Sequence, residues 1–149
     1  MEKVRFGIIG YGNIANTHLG FFDKNEIPNA VVTAIFDTDK AKTDKARDKY
    51  KDSIEIFDNE DLFFASKLFD AILICTPHYY HPYYAIKGFE NNLHVLCEKP
   101  AGVYTKQVRE MNIAYKKHEN LVFSMMYNQR TNPLYKKLRE IIQSGEYGH

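Results

Sequence analysis

Gly10, Gly12 and Ala15 stand in the spacing G-x-G-x-x-A directly after the short apolar run Val4–Ile9. This pattern suits backbone chemistry. Gly10 permits a tight turn, Gly12 lets the main chain approach a bulky anion without a Cβ clash, and Ala15 allows a helix to pack closely on the strand. Tyr11, Asn13 and Ile14 fill the remaining positions. Free N–H groups and the positive end of the helix dipole stabilise a pyrophosphate in such a turn. By itself the spacing is weak evidence. A second residue adds to it: Asp37 follows the next apolar run, Ala30–Phe36. A carboxylate there accepts hydrogen bonds from ribose hydroxyls and repels a 2′-phosphate. Helix capping is the competing role for Asp37. No arginine follows it, although Lys40 and Lys42 are near enough to help a 2′-phosphate. The expected cofactor is therefore NAD, with NADP disfavoured.

Two further groups end later apolar runs. Cys75, Thr76, Pro77, His78 and His81 follow one; Cys97, Glu98, Lys99 and Pro100 follow another. In an open parallel sheet such ends face one crevice. From the residues alone Lys99 has two equal readings. It is a proton-exchanging group partly desolvated by its turn, or a surface lysine paired with Glu98. His78 and His81 lack a Cys or carboxylate to complete a ligand set, so no metal is expected. Packing is the expected role of His18 and of most of the tyrosines around position 80. Cys75 and Cys97 read as small buried side chains.

These residues need a frame that gathers strand ends. Apolar β-type runs at 4–9, 30–36, 54–57, 71–75, 93–96 and 121–126 alternate with helical stretches at 13–23, 39–50, 60–66, 80–91, 105–118 and 133–144. Ile14, Leu19 and Phe22 are the expected core positions of the first helix, and Asp58 the expected cap of the third. Continuously apolar strands between helices predict an α/β, doubly wound (Rossmann) parallel sheet with strand order 3-2-1-4-5-6.

The chain of 149 residues is 44% hydrophobic, enough for one core. Twenty basic and nineteen acidic residues give a net charge of +1, with no block of like charge. Neither nucleic acid nor a membrane is an expected partner. The N-terminus does not read as a signal peptide, and no apolar stretch approaches the roughly eighteen residues of a membrane span. Two cysteines suggest a reducing compartment, so a cytoplasmic protein is expected.

The motifs G-I-I-G-Y-G-N-I-A (7–15), C-T-P-H-Y-Y-H (75–81), H-V-L-C-E-K-P (94–100) and Y-N-Q-R (127–130) resemble those of the glucose–fructose oxidoreductase and inositol dehydrogenase family (Gfo/Idh/MocA type). The resemblance runs along the whole chain. It implies that Lys99 lies beside the nicotinamide and the substrate hydroxyl and is catalytic, and that Glu98 lines the nicotinamide side. It further implies that Thr76, Pro77 and His81 line the cofactor channel and that Arg130 lies at its far end. Family members are more than twice this length. Their second domain supplies most substrate contacts, and usually an aspartate and a histidine that act with the lysine. The expectation is thus an N-terminal dinucleotide-binding domain at 1–126, with 127–149 connecting to an α+β substrate domain outside this chain. The parent is expected to be a homo-oligomer that transfers hydride between NAD and a secondary alcohol or ketone of a sugar or cyclitol. The isolated chain should turn over little. A non-catalytic dinucleotide sensor, such as a transcriptional co-regulator of sugar metabolism, is the alternative within the same family. The intact E-K-P favours the enzyme. A complete small interaction module is a third reading, disfavoured by the abrupt end.

Overall fold

Strands form where β-branched and other apolar side chains run together, and the computed structural model, which describes residues 2–148, places six of them. They are β1 (Val4–Ile9), β2 (Ala30–Phe36), β3 (Glu55–Phe57), β4 (Ala71–Ile74), β5 (His94–Cys97) and β6 (Phe123–Met125). All pair in parallel, in the order β3-β2-β1-β4-β5-β6. The helices are α1 (Asn13–Asp23), α2 (Lys40–Tyr50), α3 (Glu60–Ala65), α4 (His81–Glu90), α5 (Thr105–Tyr115), α6 (Asn128–Thr131) and α7 (Pro133–Ser144). The doubly wound sheet expected from the alternation of elements is present, strand order included.

Successive strand residues point to opposite faces, so a sheet covered on both sides needs apolar residues at every position. Ile8, Ile35 and Leu73 pack on one face with Ala15 and Leu19 of α1 and Ala46 of α2. Their neighbours Ile9, Phe36, Ile72 and Ile74 pack on the other, with Phe63 of α3, Phe89 of α4 and Met111 of α5. Burying each such side chain contributes about 1.5–3 kcal/mol. The highly charged α2 buries only Thr43, Ala46 and Tyr50, and its remaining residues face water.

The register brings the strand exits level. Ile9, the last residue of β1, pairs with Phe36, the last of β2, and with Ile74, the last of β4; Ile74 in turn pairs with Cys97, the last of β5. Gly10, Asp37, Cys75 and Glu98 therefore leave the sheet along one edge.

Several local expectations differ. The cap of α3 is Asn59, whose side chain accepts from the Leu62 N–H at 3.0 Å. Asp58 lies one residue too early and instead faces Arg47 of α2 at 3.4 Å. Ile14 is not a core residue: it is 40% exposed. Its place on α1 is taken by Ala15, while Phe22 is partly buried against Phe6. A 3-10 turn, His78–Tyr80, precedes α4, and the short α6 was not foreseen. Asn59→Ala should cost about 1 kcal/mol through loss of the cap. In a chain of this size that lowers Tm by about 2–4 °C. Asp58→Ala removes only an exposed ion pair and should shift Tm far less, which thermal unfolding followed by circular dichroism checks.

Candidate functional site

β1 ends in a turn that only glycine can make. Gly10 has φ +93°, and a Cβ there would lie 2.9 Å from the Cys75 carbonyl oxygen. Gly12 serves differently. A Cβ built on it would meet no atom within 4 Å, so the fold tolerates a side chain that the approach of an anion would not. Gly12 is also the N-cap of α1 and provides no side-chain cap. The first N–H groups of that helix, at Asn13 and Ile14, have no intrahelical acceptor, and both residues line the cleft at the positive end of the helix dipole. Tyr11 contributes its backbone: its ring is buried and its N–H donates to Asp37 Oδ2 at 2.7 Å.

Asp37 is buried at 8% exposure. Its Oδ1 accepts from the Asp39 N–H at 2.9 Å, and the Lys42 ammonium stands 3.4 Å from Oδ2. Capping of α2 falls to Asp39, which accepts from the Ala41 N–H. A carboxylate has about four acceptor sites, so two backbone donors leave capacity for ribose hydroxyls. Lys40 is turned away towards Asp44.

Gly10, Gly12, Asn13, Ile14, Asp37, Cys75, Thr76 and Pro77 line one cleft of about 440 Å³. Ile14 is exposed because it lines this cleft. The Thr76 hydroxyl is buried there without a hydrogen-bond partner. A side chain-free cradle at Gly12, an unpartnered hydroxyl and a carboxylate with spare acceptor sites fit a dinucleotide. Lys42, named above for its reach to a 2′-phosphate, lines the cleft as well, and so do Tyr80 and Tyr84, which were missed. The i, i+4 spacing of the two tyrosines, just after Thr76-Pro77, was the available signal.

The remaining expected residues stand elsewhere. Ala15 is fully buried under the turn, where it packs helix on strand. His81 is fully buried as well and does not line the cleft. Its Nδ1 lies 2.7 Å from the Pro100 carbonyl and its Nε2 2.9 Å from the Thr76 carbonyl. Lys99 and Arg130 line a neighbouring depression with Tyr127, over whose ring the Arg130 guanidinium stands at 5.7 Å. The expected desolvation of Lys99 is not found in this chain: Glu98 before it is buried, but Lys99 itself and Pro100 are exposed. The competing ion pair with Glu98 is not found either. Glu98 is buried, one oxygen 2.9 Å from His18 Nε2 and the other accepting the Lys99 backbone N–H at 3.1 Å. His18 thus has a polar partner at the site where packing alone was expected.

Burial pushes the Cys75 thiol well above its ordinary range and the Cys97 thiol up to about 12, the nearby Glu98 charge acting in the same direction. Both are free thiols. No group of His, Cys, Asp and Glu side chains able to hold a metal ion comes together among the described residues. No helix among them is long and apolar enough to cross a membrane.

A parallel sheet with a glycine turn at one strand exit and a buried carboxylate at the next defines a dinucleotide-binding Rossmann domain. More narrowly, the chain belongs to the GFO_IDH_MocA oxidoreductase family, whose NAD-binding Rossmann-fold model matches residues 4–126. It is an NAD-binding oxidoreductase domain. It is 30% identical over 147 residues to the uncharacterized oxidoreductase YrbE of Bacillus subtilis (strain 168), covering 99% of this chain and 42% of that protein. It is 28% identical over 151 residues to myo-inositol 2-dehydrogenase of Thermotoga maritima, covering 97% and 42%. Among solved structures it is similar to the WlbA dehydrogenase of Chromobacterium violaceum in complex with NADH and UDP-GlcNAcA, with a TM-score of 0.89, 26% identity, and coverage of 99% and 42%. The chain thus spans 42% of the length of each of these relatives.

The two glycines should separate in mutagenesis. Gly12→Val should abolish NADH binding and leave the circular dichroism spectrum unchanged, whereas Gly10→Ala should lower Tm by about 5 °C or more. Normal NADH titration of Gly12→Val, read by nicotinamide fluorescence, would remove the turn as the phosphate site.

Proposed function

We propose that this chain is the cofactor-binding part of a two-domain oxidoreductase that transfers hydride between NAD and a secondary alcohol or ketone of a sugar or cyclitol. The dinucleotide domain runs to residue 126, where the family match ends, and residues 127–149 lead to the substrate domain. Exposure in α7 supports that division. Leu134 (71%), Leu138 (48%) and Ile142 (66%) share one face of the helix at i, i+4 and i+8, an apolar stripe that a following domain would cover. The names of the relatives, inositol and sugar-nucleotide dehydrogenases among them, support the substrate class. Two buried free thiols suit a reducing cytoplasm.

In this reading the N–H groups of Gly12, Asn13 and Ile14 hold the pyrophosphate, the Thr76 hydroxyl contributes a hydrogen bond, and Asp37 holds the adenosine ribose. Bound nicotinamide supplies the hydride acceptor or donor. Lys99 holds the substrate hydroxyl and exchanges its proton, because removing hydride from carbon requires the hydroxyl proton to leave as well. Glu98 stands behind Lys99 on the nicotinamide side, and Arg130 closes the far end. The observation that carries the reading is the level edge: the Glu98 N–H donates to the Ile74 carbonyl at 3.1 Å, which sets the Lys99 turn beside the strand exits that form the cleft.

Two measurements test it. NADH should bind this chain more tightly than NADPH in parallel fluorescence titrations, because Asp37 repels a 2′-phosphate; tighter NADPH binding would overturn the role given to Asp37. In the two-domain protein, Lys99→Ala should lower kcat by about a hundredfold or more with NAD affinity within about tenfold. Retained turnover would remove Lys99 from the chemistry.

A further inference from the structure

Lys99 has a long flexible side chain that is exposed and makes no hydrogen bond among the described residues, yet the residues on either side of it are held firmly. Both holds end on a histidine. On one side, Glu98 accepts the Lys99 N–H with one oxygen and meets His18 Nε2 at 2.9 Å with the other. On the other, the Pro100 carbonyl meets His81 Nδ1 at 2.7 Å. His18 belongs to α1, the helix whose first turn forms the phosphate cradle. His81 opens α4, and its second nitrogen lies 2.9 Å from the carbonyl of Thr76, a residue that lines the cleft. The two rings come from different helices and converge on the two neighbours of one residue. Their side chains are nearly or fully withdrawn from water: His18 is 14% exposed and His81 0%.

We infer that His18 and His81 are positioning residues that hold the root of the Lys99 side chain from both sides, fixing it relative to the phosphate helix and to the exit of β4. The inference rests on the reading of Lys99 given above and extends it to residues that do not touch substrate. Its physical basis is placement. The ammonium sits at the end of a flexible stem, so only the Cα position and the backbone direction can be fixed by the fold. A displacement of about 1 Å at a reacting group costs on the order of a hundredfold in rate. A carbonyl only accepts and a carboxylate accepts, so both anchor points need an N–H donor opposite them, and a histidine ring N–H supplies one; a neutral His81 ring has a single N–H and donates to one of its two carbonyls at a time.

The test uses this chain and needs no turnover. Amide hydrogen exchange at Lys99, whose N–H is the bond to Glu98, is followed by two-dimensional NMR in four proteins: wild type, His18→Leu, His18→Gln and His81→Phe. His18→Leu should speed exchange at Lys99 about tenfold or more while the core amides of Ile72 and Leu73 stay protected. His18→Gln, which still offers an N–H to Glu98, should bring Lys99 back to within about twofold of wild type. His81→Phe keeps the ring volume and should loosen Lys99 in the same way from the other side. NADH affinity should stay within about threefold in each, because the cradle and Asp37 are untouched. Unchanged exchange at Lys99 in His18→Leu and His81→Phe would overturn the inference. So would exchange that rises equally at Lys99 and in the core, since that marks ordinary loss of stability; if His81→Phe does not fold, the His18 pair decides alone. The readout is also separate from that of the parent reading. Lys99→Ala with normal turnover would take the chemistry from Lys99, while loosened exchange would still show that the two histidines hold the turn.

Discussion

The approach of the Gly10 backbone to the exit of β4 sets the distances on which the site depends. The Gly10 N–H donates to Phe36 of β2 at 2.7 Å, and the Ile9 carbonyl accepts the Cys75 N–H at 2.8 Å. One peptide segment thereby continues the ladders on both sides of β1, past the ends of the strands. A Cβ at Gly10 would press on the Cys75 carbonyl, and a positive φ costs other residues about 1–2 kcal/mol besides. Without that contact the exits of β2, β1 and β4 would splay. Gly12, the Asp37 carboxylate and Thr76 then could not share one cleft.

Two buried acids extend the same logic along the edge. A carboxylate withdrawn from water without donors costs several kcal/mol, so each must be satisfied locally. Asp37 takes the N–H groups of Tyr11 and Asp39, and thereby ties the glycine turn to the exit of β2. Glu98 takes the N–H of Lys99 and pairs with His18, tying the exit of β5 to α1. Groups placed to meet a ligand are thus also fasteners of the fold. This is why their donors come mostly from the backbone, which cannot swing away.

What could be read in the sequence divides along physical lines. The sheet, its order and the glycine turn after β1 were legible, because apolar runs and glycine conformations act over a few residues. Asp37 was legible from its place after β2, although its bond to Tyr11 was not. His18 was not, since its partner Glu98 lies eighty positions away and only the sheet order brings α1 against the exit of β5. Ile14 was misplaced for a different reason. An apolar residue on an amphipathic helix was assigned to the core, but a cofactor cleft is also a partly apolar surface, and α1 presents one face to each. The same geometry explains His18, four residues on from Ile14 and on the same side of the helix. His81 was read as a channel residue from its motif; the backbone carbonyls on both sides of its ring are visible only in three dimensions.

The proposed cofactor cleft and the surroundings of Lys99 differ in how far this chain encloses them. In the proposed reading the cradle, helix dipole, carboxylate and hydroxyl that would meet a dinucleotide all belong to this chain. Lys99 is different, because its backbone is fastened while its side chain stands in water. Water weakens the electrostatic hold of an ammonium on a substrate oxygen several-fold compared with a closed site. A proton-exchanging lysine needs a cover that this chain does not form around it. The proposed substrate domain would meet that need if it lay over the depression that Lys99 shares with Arg130, and α7, with its open apolar face, begins only three residues beyond Arg130. Covering Lys99 and covering α7 are then two results of one docking event, which couples closure of the site to completion of the fold.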